Sequence, residues 1–457
     1  EDRRHPGVKE GRMADDVPAH LAAAKLPAVP MRLTWVRWRI VALLMAFSCL
    51  SWFLRVSISV AYDERIHDQL GISPPAMGYV FSAFLFAYAL SMTPGGWFID
   101  RFGARVALAA MGFGLAVFGA LTGAVGPVVL GRGLSAAGLA LVLFLVVRTL
   151  MGICAAPMYP ASAHAIARWL PLGRRCWANG LVQGSACVGI AATPLVFGNL
   201  IDWLGWPLAF QVLAAVTVLL ALVWALYATD RPAQHRGVGS AERALIEAEE
   251  PPAEEGPAGS WLGLLRNRSL VCLTLSYAAV GYFEYLFFFW IDFYFKDRLQ
   301  LPDEVRRVYA GIPILAMAVG MALGGWVSDR LVRAYGYRLG RALVPSVGML
   351  AGAGFLLLGI AARQPEWVVV WFSLALGMAG SAEAPVWTTA LELGGRRGGT
   401  AAGICNTGGN LGGIVSPVLT PLVGSWSWPC AIALGSVVCV LGAGLWIWID
   451  PRERCKG

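Results

Sequence analysis

Charge is what this sequence has least of. Only 14% of its residues are Asp, Glu, Lys or Arg and 57% are hydrophobic, where a soluble domain carries about 25% charged residues. One water-soluble core cannot hide that much apolar surface, so lipid must be the solvent for much of the chain. Metal-ligand spacing is also missing. The nine cysteines are scattered without a CxxC pair or a partnering His, which argues against metal or redox chemistry and leaves most of them, such as Cys187 and Cys272, as small packing residues. No HExxH, Walker loop or Gly-x-Ser-x-Gly elbow is present and the five His are dispersed, so catalysis is not expected. The net charge of +8 is not gathered on one face or in one arm, which argues against a nucleic-acid partner. No alternating pattern of about ten residues is found either. Stretches such as Val106 to Val125 are apolar throughout, and this excludes a membrane β-barrel.

What is present is a series of apolar runs long enough to cross a hydrocarbon core of about 30 Å as helices. They fall near Ile40–Tyr62, Ala76–Ile99, Val106–Val125, Ala136–Ala165, Asn179–Asp202 and Leu208–Tyr227, then Leu270–Phe295, Tyr309–Val327, Ala342–Ala361, Val368–Leu391, Ala401–Val423 and Cys430–Ile449. The expected fold is therefore an all-α membrane protein of twelve transmembrane helices. Residues 1–38 read as a polar, Ala/Pro-rich, disordered tail without a cleavable signal pattern, with Met13 and Met31 as candidate starts. Residues 39–228 and 265–450 form the two halves, 229–264 a hydrophilic connector and 451–457 a short tail. Arg37, Arg101, Arg105, Arg174, Arg330 and Arg397 lie on one side, and the other side holds few cations, among them Arg65, Lys296, Arg306 and Arg363. By the positive-inside rule both termini and the connector are expected in the cytoplasm.

The halves are related. Gly96-Trp97-Phe98-Ile99-Asp100-Arg101 closes span two and Gly325-Trp326-Val327-Ser328-Asp329-Arg330 closes span eight. A second echo follows at a shared spacing, Ala155-Ala156-Pro157 in span four against Glu383-Ala384-Pro385 in span ten. A duplicated six-helix unit explains both, and two such bundles imply a cavity between them. The run Gly96-x-x-x-Asp100-Arg101-x-Gly103-x-Arg105 resembles the signature loop of the major facilitator superfamily. Within it the chain looks like the anion:cation symporter group of galactonate, glucarate and hexuronate carriers with their sialin and vesicular glutamate relatives. Tyr88, Arg148-x-x-x-Gly152-x-x-Ala155-Ala156-Pro157-x-Tyr159-Pro160, Phe287-Phe288-Phe289-Trp290 and Asn406-Thr407-Gly408-Gly409-Asn410 carry that narrower resemblance. Two departures stand out. Galactonate-type carriers have an Asp-Arg pair in span one and a Glu before the Ala-Pro of span four, and here these positions read Leu54-Arg55 and Ala155.

An arginine deep in a span persists mainly where it meets a wet cavity or a partner. Arg55 is the first candidate, since a guanidinium offers a permanent charge and a planar fork that matches a carboxylate. It binds the anionic group of the substrate or forms a structural ion pair. Arg148 shares a helix face with Gly152, Ala155 and Tyr159 and is either a second anion contact or the partner of a carboxylate from the other half. Glu383 and Glu284 are the intramembrane acids. A carboxyl whose surroundings alternate changes its proton occupancy, so Glu383 first and Glu284 second are candidates for proton coupling, the alternative being a permanent pair with Arg148 or Arg55. Tyr88, Gln183, Trp387, Asn406 and Asn410 are candidate substrate contacts or interhelical hydrogen bonds. In the aromatic run of span seven only Trp290 or Tyr282 is expected at the cavity. The resemblance implies that Asp100, Arg101 and Arg105, with Asp329 and Arg330, govern gating, the Asp meeting an Arg and a helix N-terminus, with Arg168 as the candidate Arg.

The reading is a monomeric carrier of a small organic anion in a bacterial inner membrane, working by alternating access, coupled to protons and free of cofactors. A proton-independent facilitator or anion exchanger is the second transport reading, and a transporter-like metabolite sensor a third class.

Overall fold

The computed structural model describes residues 33–129, 136–248, 261–297 and 299–451. Most of the expected tail 1–38, the middle of the connector and nearly all of 451–457 lie outside these. Among the described residues ten helical stretches are long and apolar enough to cross a membrane. Two of them, Ala76–Val129 and Pro365–Gly424, run through two spans each, which makes twelve crossings. Large apolar side chains such as Leu226, Leu195 and Phe86 are 83%, 71% and 66% exposed on the outside of the bundle. That belt is what a lipid solvent requires.

In the first half span one is Val36–Ala61, spans two and three share Pro74–Val129, span five is Leu172–Leu204 and span six Trp206–Tyr227. In the second half span seven is Arg268–Asp297, eight Asp303–Tyr335, nine Tyr337–Ala361, eleven Gly398–Gly424 and twelve Trp428–Gly444. Spans four and ten are each broken, into Ala136–Ala155 and Met158–Trp169, and into Pro365–Gly380 and Glu383–Gly394. The breaks fall at the two Ala-Pro echoes. Proline has no N–H to give the preceding turn, and its ring crowds that turn's carbonyl. The duplication is visible again at the turns. Gly103 between spans two and three has φ 85° and Gly336 between spans eight and nine φ 82°, a region open to glycine. Spans five and eight are longer than the apolar runs suggested, because polar turns around Arg174 and Asp329 continue the helices beyond the hydrophobic stretch.

The halves meet along two helix pairs, two against eleven and five against eight. Small residues permit this. A Cβ on Gly96 would stand 2.3 Å from the Gly399 carbonyl oxygen, and one on Gly180 would stand 2.2 Å from that of Met321.

Part of the connector folds back on the first half. Its helix Ser240–Glu247 delivers Glu242, fully buried, to the start of span one. There the carboxylate accepts from the Val36 and Arg37 amides at 3.2 Å each and from the Thr34 hydroxyl. These are first-turn amides with no partner inside their helix, and a carboxylate also complements the helix dipole. Glu242→Ala is therefore expected to lower the thermal unfolding temperature of the purified protein, at a cost of about 1–2 kcal/mol. An unchanged melting temperature would mean that this cap does not form.

Candidate functional site

Between the halves lies a small cavity of about 70 Å³. Its first-half wall carries Trp52, Arg55, Tyr88, Tyr159 and Gln183, and its second-half wall carries Tyr277, Glu284, Tyr285, Glu383, Asn406 and Asn410. Seven of the residues singled out from the sequence thus meet in one chamber.

Arg55 is held by aromatic faces. Its guanidinium carbon lies 4.2 Å from the ring centre of Trp52, 5.2 Å from Phe84 and 5.5 Å from Tyr88, a cation–π arrangement that fixes the side chain without using its N–H donors. Among the described residues no carboxylate pairs with it. The Trp52 indole donates to the Tyr159 hydroxyl at 2.5 Å, so the cage is itself anchored to span four.

Across the cavity Glu383 accepts through Oε2 from the Tyr277 hydroxyl at 3.0 Å and the Trp387 indole at 3.1 Å. Glu383 and Glu284 are 2% and 9% exposed, and both line the second-half wall of the cavity. Neither Oε1 has a hydrogen-bond partner among the described residues. The cavity therefore sets a cation on one wall against two acids on the other, and among the described residues neither acid is paired with Arg55 or Arg148.

On the connector side the cavity floor is closed by two reciprocal contacts. Asp100, at the end of span two, accepts from the amides of Gly399 and Thr400 at 2.8 and 2.9 Å and from the Thr400 hydroxyl at 2.6 Å, in the first turn of span eleven. Asp329, at the end of span eight, accepts from the Trp177 and Cys176 amides in span five at 2.9 and 3.4 Å. Each half thus sends an aspartate to backbone amides of the other, Asp100 to the first turn of span eleven, where free amides favour an anion, and Asp329 to the second turn of span five.

Comparison with known proteins gives the same architecture. Residues 41–417 match the family described as Major Facilitator Superfamily. The chain belongs to this superfamily of membrane transporters. A probable sulfoacetate transporter of Cupriavidus necator is 30% identical over 420 residues, which is 90% of this chain and 94% of that protein. A probable galactarate/D-glucarate transporter of Bacillus subtilis is 30% identical over 84% and 85% of the two chains, and a D-galactonate transporter of Escherichia coli is 29% identical over 85% and 90%. A solved proton:xylose symporter with bound 6-bromo-6-deoxy-D-glucose superposes with a TM-score of 0.69 at 15% identity, over 93% of this chain and 98% of that one. At that identity the likeness speaks for the major facilitator fold alone.

Several expectations change against this geometry. Arg148 does not line the cavity. It is 2% exposed behind span one, where one Nη donates to the Leu54 carbonyl at 3.4 Å and to the Met151 sulfur at 3.1 Å, while Nε and the other Nη have no partner. Neither expected role, second anion contact or partner of an acid from the other half, is realised in this conformation. Trp387 stands behind Glu383 as an orienting donor and not at the cavity surface. The hydrogen bonds of Asp100 run to span eleven instead of to Arg168, because the two halves are pressed together there. Arg105 staples its own half, its side chain donating to the Ala225 carbonyl at 2.6 Å and its amide to Asp230 at 2.9 Å. Arg101 and Arg330 are exposed and rest on Phe102 and Trp326 at 5.9 and 3.9 Å.

In span seven Tyr277 and Phe288 face the cavity, whereas Tyr282 turns to Thr420 and Trp290 packs on Trp428. Counting helical turns from Glu284 finds them: 277, 281, 284, 285 and 288 share one face. Arg341 lies in the second turn of span nine. It is fully buried, 2.9 Å from Asp329 and 3.8 Å from Glu392. Arg341→Ala would strand two buried acids and is expected to destabilise by about 3–5 kcal/mol. Arg55→Ala strands nothing and should leave the thermal unfolding temperature close to wild type. A large loss in Arg55→Ala would make that residue part of the scaffold.

Proposed function

We propose that the chain is a secondary carrier of a small organic anion, a sugar acid or related carboxylate, that alternates access to the central cavity and couples transport to protons through Glu383 and Glu284. The observation that carries the reading is Arg55, a caged guanidinium turned to the cavity with its donors free. Such a fork accepts a carboxylate or sulfonate in bidentate fashion. Gln183, Asn406, Asn410 and Tyr88 supply neutral donors and acceptors for hydroxyls around it. The names of the relatives, carriers of sulfoacetate, glucarate and galactonate, point to the same class. Both termini then face the cytoplasm of a bacterial cell, the protein acts as a monomer, and the Asp100 and Asp329 contacts hold the cytoplasmic side shut.

Electroneutrality supplies the coupling. Moving uncompensated charge through a low-dielectric core is costly. With both acids ionised the two central arginines, Arg55 and Arg148, are balanced. Each negative charge arriving with substrate upsets that balance, and one proton on the acid pair restores it. Anion and proton therefore favour each other's binding, reciprocally.

Flux of labelled sugar acids into proteoliposomes tests this. Arg55→Lys, which keeps the charge and loses the fork, is expected to weaken substrate binding roughly 10–100-fold, the worth of a charged hydrogen bond. Glu383→Gln should abolish accumulation driven by a pH gradient while sparing exchange of labelled for unlabelled substrate. Accumulation that survives in Glu383→Gln removes that residue from the coupling. A wild-type protein that equilibrates substrate without responding to pH would instead be the facilitator or exchanger. Uptake should also be indifferent to an imposed membrane potential, and a potential-driven uptake would contradict the neutral cycle.

A further inference from the structure

A second groove, of about 850 Å³, opens laterally on the seam between spans one, five and eight. Its walls are apolar or small, with Met45, Leu181, Val188, Ala318, Val319 and Ala322 among them. Toward the connector side the same helix faces continue into a rim of different character. Four and seven residues before Leu181 come Trp177 and Arg174, four and eight after Ala322 come Trp326 and Arg330, and seven before Met45 and Ala46 come Trp38 and Arg39. These spacings keep each pair on the groove's face. The rim is assembled: Arg330 lies 3.9 Å from the Trp326 ring, Arg174 lies 5.7 Å from that of Trp177, and Trp38 meets Trp177 edge-on at 5.0 Å. Arg39, Arg174 and Arg330 are exposed, and none has an acidic partner among the described residues.

The dimensions fit one leaflet. Val188 to Trp177 is eleven residues, about 16 Å of helix, and half a hydrocarbon core is about 15 Å. Tryptophans at the wet end and arginines beyond them are the chemistry of a headgroup region.

We propose that this groove seats an anionic glycerophospholipid, its acyl chain along the seam and its phosphate between Arg174 and Arg330. The charge complementarity decides the occupant, since a neutral acyl chain alone would have no use for three uncompensated arginines at the rim. The site exists only while spans five and eight are joined on the connector side, where Asp329 binds the Trp177 amide. A lipid seated there favours the state closed on that side, and the membrane's anionic lipid content sets the balance of the alternation.

Thermal unfolding of the full chain in neutral detergent, with added dioleoylphosphatidylglycerol or dioleoylphosphatidylcholine, tests the proposal. The anionic lipid is expected to raise the melting temperature by several degrees more than the neutral one. Arg174→Gln/Arg330→Gln should lose that difference, while Arg236→Gln/Arg266→Gln, exposed arginines of the connector region, should keep it. Glycerol phosphate without chains should have no effect. Equal stabilisation by the two lipids, equal loss in both double variants, or full stabilisation by glycerol phosphate would each overturn the site.

Discussion

A guanidinium without a counter-ion, held in place by rings in the middle of a membrane protein, is the constraint around which the rest is arranged. A guanidinium is a permanent charge, so the surroundings of Arg55 must tolerate it. Trp52, Phe84 and Tyr88 do so through their ring faces, which stabilise the cation yet leave its hydrogen-bond donors unspent. An acid beside it would have produced a more stable and less useful site, because a substrate would then have to displace a partner already in place.

The same seam that frames the cavity also governs its exposure. Spans two and eleven, and spans five and eight, approach at glycines on the side where Asp100 and Asp329 reach across. Glycine contacts give close packing without large side-chain entropy to recover, and an aspartate on helix amides is an interaction that can be made and broken as a unit. Rigid halves, joined by contacts of this kind, can rock about a fixed site. The buried Arg341, tied to Asp329 and Glu392, holds one of the two latching carboxylates in position from within its own half.

What could be read from the chain follows a physical rule. Arg55, Glu284 and Glu383 were legible because a charge inside an apolar run is costly wherever the helix turns, so its presence alone signals a cavity or a partner. The two halves were legible because a repeated pattern leaves marks in sequence, whereas spans four and ten were read as unbroken and their breaks at the Ala-Pro echoes came from the structure. That Asp100 meets a helix start was implied by the resemblance, but that the helix is span eleven was not legible, since backbone amides carry no side-chain signature. Arg148 was misplaced for a related reason. The break at Ala156–Pro157 does not fix which way the preceding helix faces, and only packing against Leu54 turned that guanidinium away from the chamber. Arg341 was hidden by its position at the end of a span, where a buried cation and a solvated one look alike.

The isolation of both arginines and the absence of acids near them are one fact. Residues 54 and 155, where galactonate-type relatives carry Asp and Glu, are Leu54 and Ala155, both buried. Leu54 now meets Arg148 only through its backbone carbonyl. An acid at either place would lie on the same half as Arg55 and could neutralise it in every conformation. With carboxyls at Glu284 and Glu383 the negative charge stands on the opposite half, so cation and acids are separated by the cavity itself. Any interaction between them passes through whatever fills that space. Under the proposed function, such a carrier would link proton and cargo by the charge balance of a shared chamber, with no direct contact between the proposed proton-binding acids and the proposed anion-binding arginine.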